Sequence, residues 1–380
     1  MRFIDGKNKS PTLSWRHFDF WLLGAVTLLT IFGITMINSA IAGNIDVADN
    51  AQRQLIFAAI GFVSIIVVAS IDYRLWASVS QTLYIGTIIL LFTLNVVASA
   101  LFGSARWFEL GLILIQPSEI AKIVIIMVLA DHFSKHHQSI KTVRGVLRSL
   151  LMALGIAIWI LLQPNLSMTI LILVIWFSLL WVAGLRVKHL VLFAFAGLIV
   201  AAITLPILYQ MNVIQEYQLA RVTSFLFPDP NARYGDIYNI QQALISIGSG
   251  GWFGQGYGHG SQVQLRFLKV RWSDFIFSAM AEEFGFIGAG LVLLLLLFVI
   301  IRCLRAARLS RDTYGALIAY GVATAIAFQV IVNIGVNLRV LPATGLTLPF
   351  ISYGGSSLLT TLIGIGLVES VILRHKDLDF

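Results

Sequence analysis

Asp274 stands at the end of the run Arg266-Phe267-Leu268-Lys269-Val270-Arg271-Trp272-Ser273-Asp274-Phe275, so one carboxylate follows three cations. A carboxylate can take a proton from an attacking hydroxyl. Fixed cations can stabilise negative charge that develops on a leaving diphosphate. Together they would serve glycosyl transfer from a pyrophosphate-linked donor. An aspartate placed just before a helix can instead satisfy orphan amide donors as an N-cap, and the residues alone leave both roles open.

Three further segments carry polar residues beside apolar runs. Gln116-Pro117-Ser118-Glu119-Ile120-Ala121-Lys122 opens one of them. Proline suits a first helical turn, and residues three apart share a helix face. Glu119 and Lys122 can therefore pair, either as a structural staple or as a cation held toward an outer cavity. Arg106 and Trp107 just precede them. Arginine could grip phosphate through its planar fork, whereas tryptophan favours the membrane interface whatever its function. The hydroxyls of Ser352, Ser356 and Ser357, next to Gly354 and Gly355, could line a polar groove or let helices approach closely.

The elements that must position these groups follow from composition. Of 380 residues, 58% are hydrophobic and 12% charged, with a net charge of +8. Soluble domains carry about 25% charged residues, so this chain is an integral membrane protein rather than a soluble enzyme, a disordered chain or a disulfide scaffold. A single cysteine, Cys303, allows no internal disulfide. The fold class is all-α, with ten stretches of spanning length: 18–39, 54–71, 83–101, 116–133, 147–162, 166–184, 188–209, 275–301, 312–336 and 349–373. The first lacks a signal-peptidase-like site and reads as a retained helix.

Ten spans put both termini on one side. Seventeen cations fall on that side and eight on the other, with Lys122 inside the membrane. Cytoplasmic loops hold the excess of Lys and Arg, so both termini are expected in the cytoplasm, and the basic balance speaks for topology and against nucleic-acid binding. The chain reads as a single polytopic domain, 1–380, with residues 210–274 as a large outer loop between the seventh and eighth helices. A loop of that length is more often functional than idle. Its glycine-rich part, 247–260, allows positive φ and close backbone approach to a ligand or to another helix. Glu282 and Glu283 lie deeper in the eighth span, where their role stays open.

Three motifs resemble the SEDS family (shape, elongation, division and sporulation), whose members include RodA and FtsW. They are Gly103–Lys122, Ile247–Gly288 with its SDFIFSAMAEEFGFIG core, and Asn333–Ser357 with Arg339, Pro342, Gly345 and the PFISYGGSS end. The resemblance spans almost the whole chain. It implies a peptidoglycan glycosyltransferase of the bacterial cytoplasmic membrane. Such an enzyme polymerises lipid II, an undecaprenyl-pyrophosphate-linked substrate, at the outer face, beside a class B penicillin-binding protein and among membrane lipids. It implies Asp274 as the catalytic aspartate, with Glu119, Lys122, Arg106 and Trp107 at the substrate; from the residues themselves, Arg266, Lys269 or Arg271 would help to neutralise the diphosphate, and Ser352 and Ser356 would line the groove. No cofactor is required on this reading. A divalent cation, Mg or Mn, is compatible with the chemistry but not indicated by the residues.

The chain departs from the family pattern at Lys269, Val270 and Trp272, where relatives carry Pro, Glu and His, and at Asn165, where they carry Asp. These departures keep a weaker or specialised paralogue open, and with it a non-catalytic scaffold; a lipid II flippase is the other rival. Short termini and the Ile71-Asp72-Tyr73-Arg74 stretch lean toward RodA and cell-wall elongation rather than division.

Overall fold

The computed structural model describes residues 15–41, 47–101, 107–110, 113–136, 140, 142–185, 223, 225–227 and 235–375. Within them the chain forms α1 (Phe20–Ile41), α2 (Asn50–Ser70), α3 (Tyr73–Leu101), α4 (Pro117–Lys135), α5 (Val143–Leu162) and α6 (Leu166–Val182). Then follow α7 (Gly235–Gly250), the single turn α8 (Ser261–Gln264), α9 (Ile276–Leu309), α10 (Thr313–Asn337) and α11 (Gly355–Leu373). Nine of the ten expected spans are these helices, and the seventh, 188–209, lies outside the described residues.

Seven of the helices are long and apolar enough to cross a membrane. Of the other two matched to expected spans, α6 is shorter, with 17 residues. The helix α4 carries four charged residues, yet it is buried along nearly its whole length. It packs against α3, α5, α6, α10 and α11 and so forms the centre of the bundle. Its neighbours, rather than lipid, surround Glu119, Lys122 and Asp131, while Lys135 at its end is exposed.

The helix starts follow local chemistry. Pro117 begins α4, as its missing N–H permits. Thr142, Asn165 and Asp312 cap α5, α6 and α10 through side chains that accept from Gly145, Met168 and Gly315 N–H groups. Helix α3 begins at Tyr73 rather than near 83, and α11 begins at Gly355 rather than near 349. In the second case Pro349–Ser352 form a turn in which Phe350 has φ +67°. A two-stranded antiparallel hairpin, β1 (Phe108–Leu110) with β2 (Ile113–Ile115), precedes α4 and adds a small sheet to the all-α expectation.

The expected outer loop is partly helical, since α7 packs on α9 and α8 follows it. Helix α9 is broken at Gly285 (φ +68°, ψ −168°). The glycine-rich segment fills the break. The N–H groups of Gln255 and Gly256 donate to the carbonyls of Glu282 and Glu283, while those of Phe286 and Ile287 donate to the carbonyls of Gly251 and Trp252. Broken helix ends would otherwise bury unsatisfied backbone groups. A Cβ at Gly254 or at Gly285 would sit within 2.3 Å of facing backbone. The glycines thus serve close approach to another helix.

Candidate active site

The loop before α9 carries Asp274, and the helix begins one residue too late for that side chain to cap it: the N-cap is Phe275, without a side-chain cap bond. The half-buried carboxylate instead lines a cavity of about 330 Å³ and accepts at Oδ1 from the Ser273 hydroxyl at 3.0 Å. Its backbone is held from α10. The side-chain amides of Asn333 and Asn337 donate to the Asp274 carbonyl at 3.1 and 3.0 Å. From the other side, the Ser352 hydroxyl donates to the Ser273 carbonyl at 2.7 Å, and the Tyr353 N–H donates to the Trp272 carbonyl at 2.9 Å.

The opposite wall comes from α2, α4 and the N-terminus of α11. Arg53 and Glu119 line it, as do the backbones of Gly354 and Gly355. Gln54, one residue further along α2, donates to the Ser352 carbonyl at 3.1 Å and accepts from the Gly354 N–H at 3.2 Å. It thereby fixes the entry to α11. Burial raises the pKa of the Tyr353 phenol, and the positive charge of Arg53 opposes the rise. A guanidinium and a helix N-terminus, which is partially positive, thus share a cavity with a carboxylate. That set can bind an anionic group and deprotonate a hydroxyl beside it.

Lys122 lies beneath this wall. Its ammonium is 2.8 Å from Glu119 Oε2 and 3.3 Å from Gln329 Oε1, and it is 1% exposed. Glu119 faces the main cavity, whereas Lys122 borders a much smaller one with Gln329 and Thr361. Charge on the pair is therefore presented to the cavity through the carboxylate. The remaining expected residues separate into two groups. Trp107, 42% exposed, lines the cavity with Asp274, while Arg106 lies outside the described residues. Arg266, Lys269 and Arg271 do not line it: the first two are exposed, and Arg271 is buried and donates to the Leu268 carbonyl at 3.4 Å. Burial and the neighbouring Arg266 lower the pKa of Arg271. Ser352 and Ser356 point into the protein, where Ser356 accepts from the Gln116 N–H at 3.1 Å, and Ser357 takes a place on the cavity wall.

The departures from the family pattern have local roles. Asn165 lines the cavity and caps α6, a task that either Asn or Asp performs. Val270 adopts φ +51°, unusual for a β-branched residue, and its carbonyl accepts from the Ser273 N–H at 3.2 Å. Trp272 offers its carbonyl to Tyr353. Glu282 accepts from the Gln262 and Val263 N–H groups at the start of α8, and Glu283 accepts from the Ser39 hydroxyl. Glu282 thus braces the segment leading to Asp274, and Glu283 ties α9 to α1. The contributions of Arg53, Gln54 and Asn337 escape a reading by motif. One signal was available: Gln329, Asn333 and Asn337 are four apart, a polar stripe on an otherwise apolar helix.

A family model described as "Cell cycle protein", for FtsW, RodA and SpoVE, matches residues 19–377. The chain belongs to this family. It is 36% identical to a probable peptidoglycan glycosyltransferase FtsW of Hydrogenovibrio crunogenus, over 97% of this chain and 96% of that one. Stage V sporulation protein E of Bacillus subtilis is 35% identical over 93% of this chain and 96% of its own. Among solved structures, a chain of a peptidoglycan synthase complex matches with a TM-score of 0.79 at 30% identity, covering 95% of this chain and 99% of that one. Thermus thermophilus RodA matches at 0.68 and 28%, covering 96% and 99%. As a SEDS-family protein the chain is a multi-pass protein of the inner membrane, with all-α architecture.

Proposed function

We propose that this SEDS protein is a peptidoglycan glycosyltransferase that polymerises lipid II at the outer face of the membrane, with Asp274 as general base. One observation carries the site assignment: the Asp274 carboxylate shares a cavity of about 330 Å³ with Arg53 and the N-terminus of α11. The relatives' names, printed as peptidoglycan glycosyltransferase FtsW, support the reaction class. In this reading Asp274 takes the proton of the acceptor sugar's 4-hydroxyl. The hydroxyl oxygen bonds to the anomeric carbon of the growing strand, and the bond from that carbon to the diphosphate breaks with inversion. Undecaprenyl pyrophosphate leaves with the bonding pair, and Arg53 together with the α11 amides receives its charge.

Purified protein given labelled lipid II should form glycan, and Asp274→Ala should lower the rate by about 10²- to 10⁴-fold, the range for a general base. Normal polymerisation by that variant would overturn the assignment. The proposal includes no resident cofactor, and chelation followed by return of Mg or Mn tests this through the rate. The flippase alternative needs a polar route through the bundle. Below Lys122 the α4 side chains from Ile123 to Ala130 are apolar and buried, which favours polymerisation.

A class B penicillin-binding protein is the partner in this proposal, supported by the match to a chain of a peptidoglycan synthase complex. The lean toward elongation rests on the Ile71–Arg74 stretch. In the structure that stretch ties helices together: Tyr73 and Arg74 both meet Asp312, at 2.9 and 3.0 Å. A tagged copy at the lateral wall would support the elongation role, and one confined to the septum would assign it to division.

A further inference from the structure

Far from Asp274, at the other end of α9, three segments meet: the entry to α1, the last turns of α9 and the end of α11. Between them lies a second cavity of about 270 Å³, bordered by Arg302, Arg305, His17 and His375 and by the aromatic pair Phe20 and Trp21. Those two aromatic rings are 67% and 74% exposed, at the first turn of a membrane-spanning helix.

The charges here are unevenly engaged. Arg302 bonds Asp19 Oδ2 through Nε at 2.7 Å, while Asp19 Oδ1 accepts from the Leu22 N–H and so starts α1. Glu369, fully buried on α11, accepts from the Asp19 N–H at 3.0 Å. Arg305, one turn beyond Arg302, is exposed and has no carboxylate partner among the described residues. Cations near a helix C-terminus can merely complement its dipole. Here, however, the basic groups come from three segments and converge on a cavity. Beyond it, Leu28 and Ile31 on α1 and Leu297 and Ile301 on α9 are exposed, and these two helices pack together.

We propose that this cavity binds the phosphodiester headgroup of an anionic membrane lipid, with Arg305 gripping the phosphate, Trp21 at the interface and the acyl chains along α1 and α9. Arginine suits this role because its planar fork matches phosphate oxygens. Basic clusters beside a membrane helix attract anionic headgroups. The flanking apolar side chains favour a lipid over free phosphate. The proposal shares no residue with the Asp274 cavity and stands apart from the polymerase reading.

The test uses full-length protein in phosphatidylcholine nanodiscs that contain a minority of brominated phosphatidylglycerol, whose bromines quench nearby tryptophan. Brominated phosphatidylglycerol should quench more than brominated phosphatidylcholine, and Trp21→Phe should remove that excess. Arg305→Gln should raise the phosphatidylglycerol fraction needed for half-quenching about fivefold, the effect of one cation near a membrane surface. Arg308→Gln, off the cavity, should leave it unchanged. Equal quenching by the two lipids overturns the site, as does an equal effect of the two arginine variants, which signals a diffuse field. Competition by inorganic phosphate would overturn the lipid assignment in favour of a soluble anion.

Discussion

The side-chain amide of Asn337 donates to the Asp274 main-chain carbonyl at 3.0 Å, while its carbonyl oxygen accepts from the N–H and hydroxyl of Ser278. One side chain thus spans the residue proposed as base and the first turn of α9. Asn333, one turn earlier on α10, reaches the same Asp274 carbonyl and also the Leu346 carbonyl. Gln329, a turn earlier again, meets Lys122. The place of the carboxylate is therefore set by a polar ladder on α10 as well as by its own loop.

Replacing Asn337 by Leu should lower both stability and turnover. The Asp274 carbonyl would lose a donor, and Ser278 would lose its acceptor in a buried setting. A buried polar group left unsatisfied costs about 1–3 kcal/mol. Asn337→Asp should retain the acceptor for Ser278 and so lose less stability, yet still lose activity, because it no longer donates to Asp274. Thermal unfolding in detergent and glycan formation from lipid II, measured on the same preparations, separate the two effects.

The buried Glu119–Lys122 pair should respond non-additively. Its side chains are 5% and 2% exposed. Removing one partner strands a buried charge, for which about 3–5 kcal/mol is typical. Lys122→Met and Glu119→Gln should each destabilise strongly, whereas the double variant should recover part of the loss. Melting temperatures of all three report the coupling. Additive losses would show that the two side chains act independently.

How much of this was legible depends on the range of the interaction. The spans followed from apolar runs, and Glu119 with Lys122 followed from their spacing on one helix. Spacing does not tell which of two paired residues faces a cavity, and here it is Glu119. The cations at Arg266, Lys269 and Arg271 are close to Asp274 in the chain, but Arg266 and Val270 bend the loop with φ of +63° and +51°. None of the three then borders the cavity, while Arg53 on distant α2 does. The fit of the glycine-rich segment into the break of α9 is likewise a long-range backbone exchange that local composition does not encode.

Arg53 should govern substrate affinity more than stability. It is half-buried on the cavity wall and can offer a planar fork to a diphosphate. A hydrogen bond to a charged group is worth about 1.5–3 kcal/mol, so Arg53→Gln should reduce kcat/KM for lipid II by about ten- to a hundredfold. Arg53→Lys should recover only part of this, since a point charge lacks the fork. A lipid II titration at fixed enzyme is the measurement. A Gln variant with unchanged kcat/KM would remove Arg53 from the substrate site.

Gly285 should tolerate no side chain. Its φ of +68° lies in a region that L residues avoid, and an added Cβ would come within 2.3 Å of the Gly254 nitrogen and 2.6 Å of the Trp252 carbonyl. Relief would require the inserted segment to withdraw, breaking the bonds from Gln255 and Gly256 to the Glu282 and Glu283 carbonyls. Because Glu282 also holds the N–H groups of α8, the disturbance should travel along the loop toward Asp274. Gly285→Ala should therefore lower the melting temperature and the polymerisation rate together. Gly290→Ala, five residues further along the same helix, is the control. An added Cβ there meets nothing within 4 Å, and alanine is favoured over glycine inside a helix by about 0.5–1 kcal/mol. That variant should be as stable as the parent or slightly more so. Equal behaviour of the two variants would mean that the break in α9 is not held by the glycine-rich segment.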